Sequence, residues 1–152
     1  MKTKDAWNLK LLYKSDTDPQ IERDLKAIEQ AYIAFEKKYK GKDLTSSSSK
    51  LFRTLEDYRK LAESLNGWKP NFYFSRKRDI ESDNALVAAR AAQIESRLTQ
   101  VSNKVTFFRL TLGKIPLQKQ KAYLHDKKLS GFHYFLKVIF DDARHVENGA
   151  YS

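Results

Sequence analysis

The chain contains no cysteine, and this absence excludes several kinds of site at once. Without thiols there is no disulfide framework, no cysteine-ligated zinc finger and no thiol nucleophile. The N-terminus is polar and leads into no apolar stretch of the kind that a signal peptide needs. No apolar run approaches the roughly 20 residues of a membrane-spanning helix. These absences predict a cytoplasmic protein with no membrane partner.

Glycine and proline are also scarce, with five and three residues among 152. An all-β fold needs turn residues at short intervals, so this scarcity disfavours such a fold. Hydrophobic residues make up 41% of the chain and charged residues 32%, a balance that is typical of a globular protein with a core. The length predicts a single domain over residues 1–152.

The apolar residues that are present recur at helical spacing. Between Pro19 and Tyr39 they recur at alternating intervals of four and three residues, which predicts a helix. Asp18 can cap the start of this helix, and Gly41 can end it. A second helix is predicted over about residues 50–65, ended by Asn66-Gly67 in the left-handed conformation that such pairs favour.

A third apolar stripe is the longest, and it runs from Val87 to Leu112 with a sustained heptad pattern after a possible cap at Asp83. An intermolecular coiled coil or a long helix inside one chain would produce this pattern. Because the other predicted helices carry matching stripes, we favour the second. With shorter helices over about 117–126 and 131–144, the sequence predicts an all-α fold: a bundle of about five helices around a long central helix.

The segment from Trp68 to Ser82 departs from these patterns. Three consecutive aromatic residues are followed, one serine later, by three consecutive cations. We predict a loop here. The residues of this segment that we expect to face a partner or a substrate are Phe72, Tyr73, Phe74 and Arg76. Aromatic and cationic side chains together also suit single-stranded nucleic acid, although the segment matches no RNA-binding signature.

The net charge of +10 is concentrated in residues 1–14, 69–79 and 104–128. Basic zones of this kind can contact nucleic acid, an acidic protein surface or peptide carboxylates. A lysine-rich surface that contacts only solvent has the same composition. The charge therefore leaves these alternatives open.

No complete catalytic or metal-binding motif is present. The three histidines, His125, His133 and His145, lack the spacing of a His-Glu-x-x-His zinc helix. Asp141 and Asp142 are adjacent on a predicted helix, so their side chains diverge by about 100° and do not form an acid–base pair. No glycine-rich phosphate loop or serine triad appears either. We therefore predict no catalytic residue, metal ligand or cofactor in this segment.

Several short motifs follow one another in an informative order. They are Trp7-Asn8-Leu9 with Leu12-Tyr13, Gln93-Ile94-Glu95 with Arg97-Leu98, Asn103-Lys104 with Phe107-Phe108, Leu112-Gly113-Lys114-Ile115-Pro116, and Tyr134-Phe135-Leu136 with Phe140-Asp141 and Ala143-Arg144-His145. Together they resemble the N-terminal helical region of oligoendopeptidase F, a zinc peptidase related to thimet oligopeptidase. The resemblance covers about residues 5–145 and rests on the combined order, because each motif alone is mostly core helix.

The resemblance implies a division of labour. In that family a His-Glu-x-x-His helix and a downstream glutamate bind zinc in a C-terminal catalytic region, and the N-terminal helices form a lobe that helps enclose a chamber for oligopeptides. None of the zinc ligands has a matching position here. The resemblance therefore implies a lobe that is inactive alone. The parent enzyme would supply the zinc and the catalytic domain in cis, and oligopeptides would be its substrate.

Two other interpretations remain open at this point. After His145 the family continues towards its catalytic part, whereas here residues 146–152 follow without a pattern, and we expect them to be a disordered tail. The segment is then an excised part of a longer enzyme, a truncated gene product or a domain that serves as a separate protein. The main alternative is a free-standing helical interaction module that dimerises through the heptad stripe. A basic nucleic-acid-binding domain is a lesser alternative.

Overall fold

A computed structural model describes residues 9–147, with side chains for all of these except residues 65–68 and 147. This part of the chain is all-α, as the sequence predicts, and none of its helices is both long and apolar enough to cross a bilayer. The helices are α1 (Pro19–Tyr39), α2 (Ser48–Ala62), α3 (Leu65–Ile80), α4 (Ala85–Asn103), α5 (Thr106–Gly113), α6 (Leu117–His125) and α7 (His133–Glu147), with a 3₁₀ segment (Lys127–Phe132) before α7. Residues 148–152, most of the predicted tail, lie outside the described residues.

Helix α1 has the bounds that the sequence predicts. Asp18 Oδ1 accepts a hydrogen bond of 2.9 Å from the backbone N–H of Gln20 and so caps the start of the helix. Past the other end, Gly41 has a φ of +77°, a conformation that a side chain would strain. Both signals are local, which is why the sequence alone reveals them.

The largest difference from prediction lies between α2 and α4. Helix α2 ends at Ala62, and the prediction of a loop over residues 68–82 is wrong because Leu65–Ile80 forms α3. Pro70 lies inside α3, where it removes one backbone hydrogen bond and disfavours the helix. Burial of Tyr73 and Phe74 on one side of α3 stabilises the helix against this cost.

The heptad stripe does not form one long central helix. Helix α4 ends at Asn103 and α5 begins at Thr106, so the stripe is divided between two helices. Leu98 is partly buried, and the other seven members of the stripe are buried: Val87, Ala91, Ile94, Val101, Val105, Phe108 and Leu112. The cap of α4 is Asn84 rather than Asp83, because Asn84 Oδ1 accepts hydrogen bonds of 3.1 and 3.3 Å from the backbone N–H groups of Leu86 and Val87.

The described residues divide into two compact units, where the sequence predicts one domain. The first unit comprises residues 9–34 and 63–104, and the second comprises residues 35–62 and 105–147. The boundary at 104/105 coincides with the interruption between α4 and α5. Each half of the heptad stripe therefore belongs to a different core.

The core of the first unit combines the segment before α1 with α1, α3 and α4. Its buried residues are Leu9, Tyr13, Ile21, Leu25, Tyr73, Phe74, Ala91 and Ile94. The rings of Tyr13 and Tyr73 meet edge to face, with centroids 5.2 Å apart. Of the first sequence motif, Leu9 and Tyr13 are buried, whereas Trp7 lies outside the described residues.

The second unit is organised around aromatic side chains. The Phe108 ring lies 5.7 Å from that of Phe35 and 5.0 Å from that of Tyr58, which in turn lies 5.7 Å from Phe135. Phe108 is on α5 and Phe135 is on α7, so this cluster holds the two helices in the same core. Clusters of this kind bury a large apolar area for each residue.

We expect Phe108→Ala to lower the free energy of unfolding by about 3–5 kcal/mol, because the ring is fully buried and its removal leaves a cavity. Leu110→Ala, on the same helix but 60% exposed, is the matched control and should change stability by no more than about 0.5 kcal/mol. Urea denaturation followed by circular dichroism measures both. Equal losses would contradict the assignment of Phe108 to the core.

Candidate functional site

The four residues that the sequence singles out lie on two different faces of α3. Phe72 is 51% exposed, whereas Tyr73 and Phe74 are buried in the core of the first unit. Arg76 is exposed, and its guanidinium lies 5.8 Å from the centroid of the Phe72 ring. Phe72 and Arg76 therefore form the part of this segment that a partner or substrate can contact, and we call them the Phe72–Arg76 surface.

Helical geometry explains this division. Residues four apart lie on the same face of a helix, which brings Phe72 and Arg76 together. Tyr73 and Phe74 are turned by about 100° and 200° from Phe72, and so they point into the core. The loop that the sequence predicts would have allowed all four side chains to face outward.

The buried side of α3 is fastened to the turn before α1 by charged and polar groups. The Tyr73 hydroxyl donates a 2.7 Å hydrogen bond to Asp16 Oδ1, and Lys77 Nζ lies 3.3 Å from the same oxygen and 2.8 Å from Glu81 Oε2. Burial and the bond to Asp16 raise the pKa of Tyr73, while Glu81 and then Asp16 raise the pKa of Lys77. Both donors therefore stay protonated at neutral pH, and Lys77 contributes to structure.

A second buried hydrogen-bond network joins Tyr13, in the segment before α1, to α1 itself. The Tyr13 hydroxyl donates a 2.6 Å bond to Asp24 Oδ2, and Gln20 Nε2 donates a 2.7 Å bond to Oδ1. Burial, followed by the bond to Asp24, raises the pKa of Tyr13. Asp24 is only 6% exposed, so these hydrogen bonds offset the loss of water around its carboxylate.

Arg97 connects α4 to α1 inside the first unit. Its guanidinium donates bonds of 2.8 and 2.7 Å to the two carboxylate oxygens of Glu22 and a further bond to Glu29. This bidentate contact lowers the pKa of Glu22. Arg97 belongs to one of the motifs that the sequence analysis singles out, and its role in the fold is to clamp two helices.

The histidines and paired acids do not converge. Nδ1 of His125 lies 2.8 Å from the carbonyl oxygen of Lys121, and Nδ1 of His133 lies 3.0 Å from that of Leu124. Asp141 pairs with Arg144 at 2.5 Å. Across residues 9–147, no group of three His, Asp or Glu side chains could hold a metal ion.

The basic zones differ in how their charge is used. In residues 69–79, Lys77 pairs with Asp16 and Glu81, and Arg78 pairs with Glu95 at 3.3 Å. In the second unit, by contrast, none of several exposed lysines forms an ion pair with the described acids: Lys114, Lys119, Lys121 and Lys127. Residues 35–62 and 105–152 carry 16 Lys and Arg against 8 Asp and Glu, a net charge of +8. Most of the positive charge therefore belongs to the second unit.

Sequence reasoning missed an apolar groove in the second unit. It has a volume of about 370 Å³ and lies between α5 and α7. Two of its lining residues, Leu110 and Val146, are 60% and 65% exposed. The signal was present in the sequence, because Leu110 is an apolar residue off the heptad stripe, where a polar residue is expected.

No family model, curated protein or solved structure matches the chain.

We expect Arg97→Met to lower stability at pH 7 by about 1 kcal/mol or less, because the ion pairs are partly exposed. The native pKa of Glu22 lies below its ordinary 4.5, so this contribution is present above pH 4.5 and is lost as the pH falls through the native value. The difference in the free energy of unfolding between Arg97→Met and the wild type should therefore become smaller as the pH falls below 4.5.

Arg23→Met is the matched control, because Arg23 donates its hydrogen bonds to the neutral side chain of Gln20. Thermal melts between pH 7 and pH 3 measure both variants. The same pH dependence in the two variants would contradict the role assigned to Glu22 and Arg97.

Proposed function

We propose that this chain is the N-terminal helical lobe of an oligoendopeptidase F-like zinc peptidase, and that it helps to enclose a chamber for oligopeptides. The observation that carries the proposal is the order of the motifs along residues 5–145. The zinc and its ligands would belong to a C-terminal catalytic domain of the same enzyme, and this lobe would be inactive alone. The role of the present residues is to hold the wall of the chamber in shape.

The positions of the motif residues support a scaffolding role. Ile94, Phe108, Leu112, Leu136 and Phe140 come from four of the motifs and are all fully buried. Residues of this kind decide how helices pack, and a lobe that shapes a chamber depends on such packing. The surface that contacts the catalytic lobe or the peptide would then lie on exposed residues, for which the Phe72–Arg76 surface is our candidate.

The first test is the coding DNA beyond Ser152 in the native gene. The proposal predicts an in-frame His-Glu-x-x-His some hundreds of residues downstream, followed by a further glutamate ligand. A stop codon directly after Ser152 would overturn the assignment to a lobe in cis.

The Phe72–Arg76 surface has its own test in the full-length enzyme. We expect Phe72→Ser combined with Arg76→Glu to raise KM for a quenched fluorescent oligopeptide several-fold, and a cooperative thermal melt of the variant shows that it is folded. Leu86→Ser combined with Arg23→Glu is the control, because it changes one exposed leucine and one exposed arginine of the same unit. Lys77 and Arg78 are unchanged in both variants, so their ion pairs with Glu81 and Glu95 are the same in the test and in the control. Unchanged kinetics in the test variant would remove this surface from the proposal.

The two alternative functions make different predictions. A dimer through the heptad stripe would need side chains that are buried inside the chain, and it would sediment at about twice 17.7 kDa. A nucleic-acid-binding role has support from the charge of the second unit and from the exposed Phe72 and Arg76, and it predicts affinity that falls steeply with salt. No binding at low salt would exclude it.

A further inference from the structure

The groove between α5 and α7 has an apolar floor shaped by a close approach of the two helices. A Cβ atom added to Gly113 would lie 3.2 Å from the Cβ of Ala143, so the absence of a side chain at Gly113 permits this approach. Ile139 lines the groove and is 4% exposed, which places it at the bottom. Leu110 and Val146 line the same groove and project into solvent. Exposed apolar residues gathered around one groove are typical of a binding surface.

The rim of the groove is more positive than negative. Arg109 and Lys114 line it from the side of α5, and Asp142 lines it from the side of α7. The guanidinium of Arg109 lies 6.0 Å from the Phe135 ring, and neither cation forms an ion pair with an acid in the described part of the chain. These charges are therefore available to a partner, within a unit whose net charge is +8.

We propose that this groove binds an amphipathic helix of another protein. That helix would carry leucine-like side chains on its apolar face and glutamate or aspartate along one flank. An apolar groove accepts such a helix through residues at positions i, i+3 or i+4, and i+7. An acidic flank complements Arg109 and Lys114, and the charge of the second unit attracts it over longer distances. The inference does not depend on the peptidase proposal.

Charge also argues against the other occupants. A second copy of this chain would bring the same net charge of +10, so the two copies would repel each other. Nucleic acid would satisfy the cations but would leave Leu110 and Val146 beside phosphates. An acidic amphipathic helix is the partner that satisfies the apolar walls and the basic rim together.

The experiment uses the full chain and two fluorescein-labelled helical peptides of about 18 residues, which is five turns. Both peptides share one leucine face, and their flanks carry glutamate in one and lysine in the other. Fluorescence anisotropy should detect binding of the glutamate peptide only. Leu110→Ser and Val146→Ser should each weaken that binding by about tenfold, because each removes an apolar contact that the peptide buries.

The groove variants have matched controls at residues of the same unit that do not line the groove: Leu117 for Leu110, and Lys119 for Lys114. Leu117 is 52% exposed, so Leu117→Ser removes a comparable surface leucine and should leave affinity unchanged. Lys114→Glu should abolish binding of the glutamate peptide and permit that of the lysine peptide, whereas Lys119→Glu should do neither. Melting temperatures close to that of the wild type show that each variant is folded, as expected for exposed positions.

Several results would overturn the inference. If neither peptide binds, the groove is not a binding site for an amphipathic helix. If Leu110→Ser and Leu117→Ser weaken binding equally, the peptide binds elsewhere. If the chain sediments as a dimer that Leu110→Ser dissociates, its occupant is a second copy. If the peptide binds only after residues 148–152 are removed, that segment occupies the groove. If an oligonucleotide displaces the peptide and Leu110→Ser has no effect, charge alone accounts for the binding.

Discussion

Burial of the apolar stripe from Val87 to Leu112 is the constraint on which the rest of the structure depends. A straight helix would carry this stripe along one side, and each residue on it would need apolar cover. The chain instead interrupts the helix after Asn103, and the two halves of the stripe enter the cores of different units. In the first unit α3 and α1 cover α4, and in the second α7 and the aromatic cluster cover α5.

That packing decides which charged and aromatic residues remain available for function. In α3, Tyr73 and Phe74 are buried in the core. Lys77 and Arg78 form ion pairs with neighbouring acids, so a segment that resembles a binding motif is mainly structural. The same packing leaves Phe72 and Arg76 on the outside. In the second unit several cations form no ion pair with the described acids, because that part of the chain has half as many acids as bases.

The two candidate surfaces have different chemistry and belong to different units. The Phe72–Arg76 surface presents one aromatic ring and one cation, which suits a contact with a second lobe or a peptide. The groove between α5 and α7 combines apolar walls with a basic rim, which suits an acidic helix. The two proposals are compatible, because they use different surfaces. The Phe72–Arg76 surface would serve the peptidase lobe, and the groove would bind the helical partner.

The sequence by itself determined the all-α class and the bounds of α1, because apolar spacing, the Asp18 cap and Gly41 act over a few residues. It also indicated the buried stripe. Only the tertiary structure decided that residues 65–80 form a helix, because that helix is stabilised by Tyr13 and Asp16, far away in the sequence. It likewise decided the break after Asn103 and the groove, since both depend on what packs against α5, and α7 lies some 20 residues further along the chain. Local signals report the period of a segment, but burial is a property of its neighbours in space.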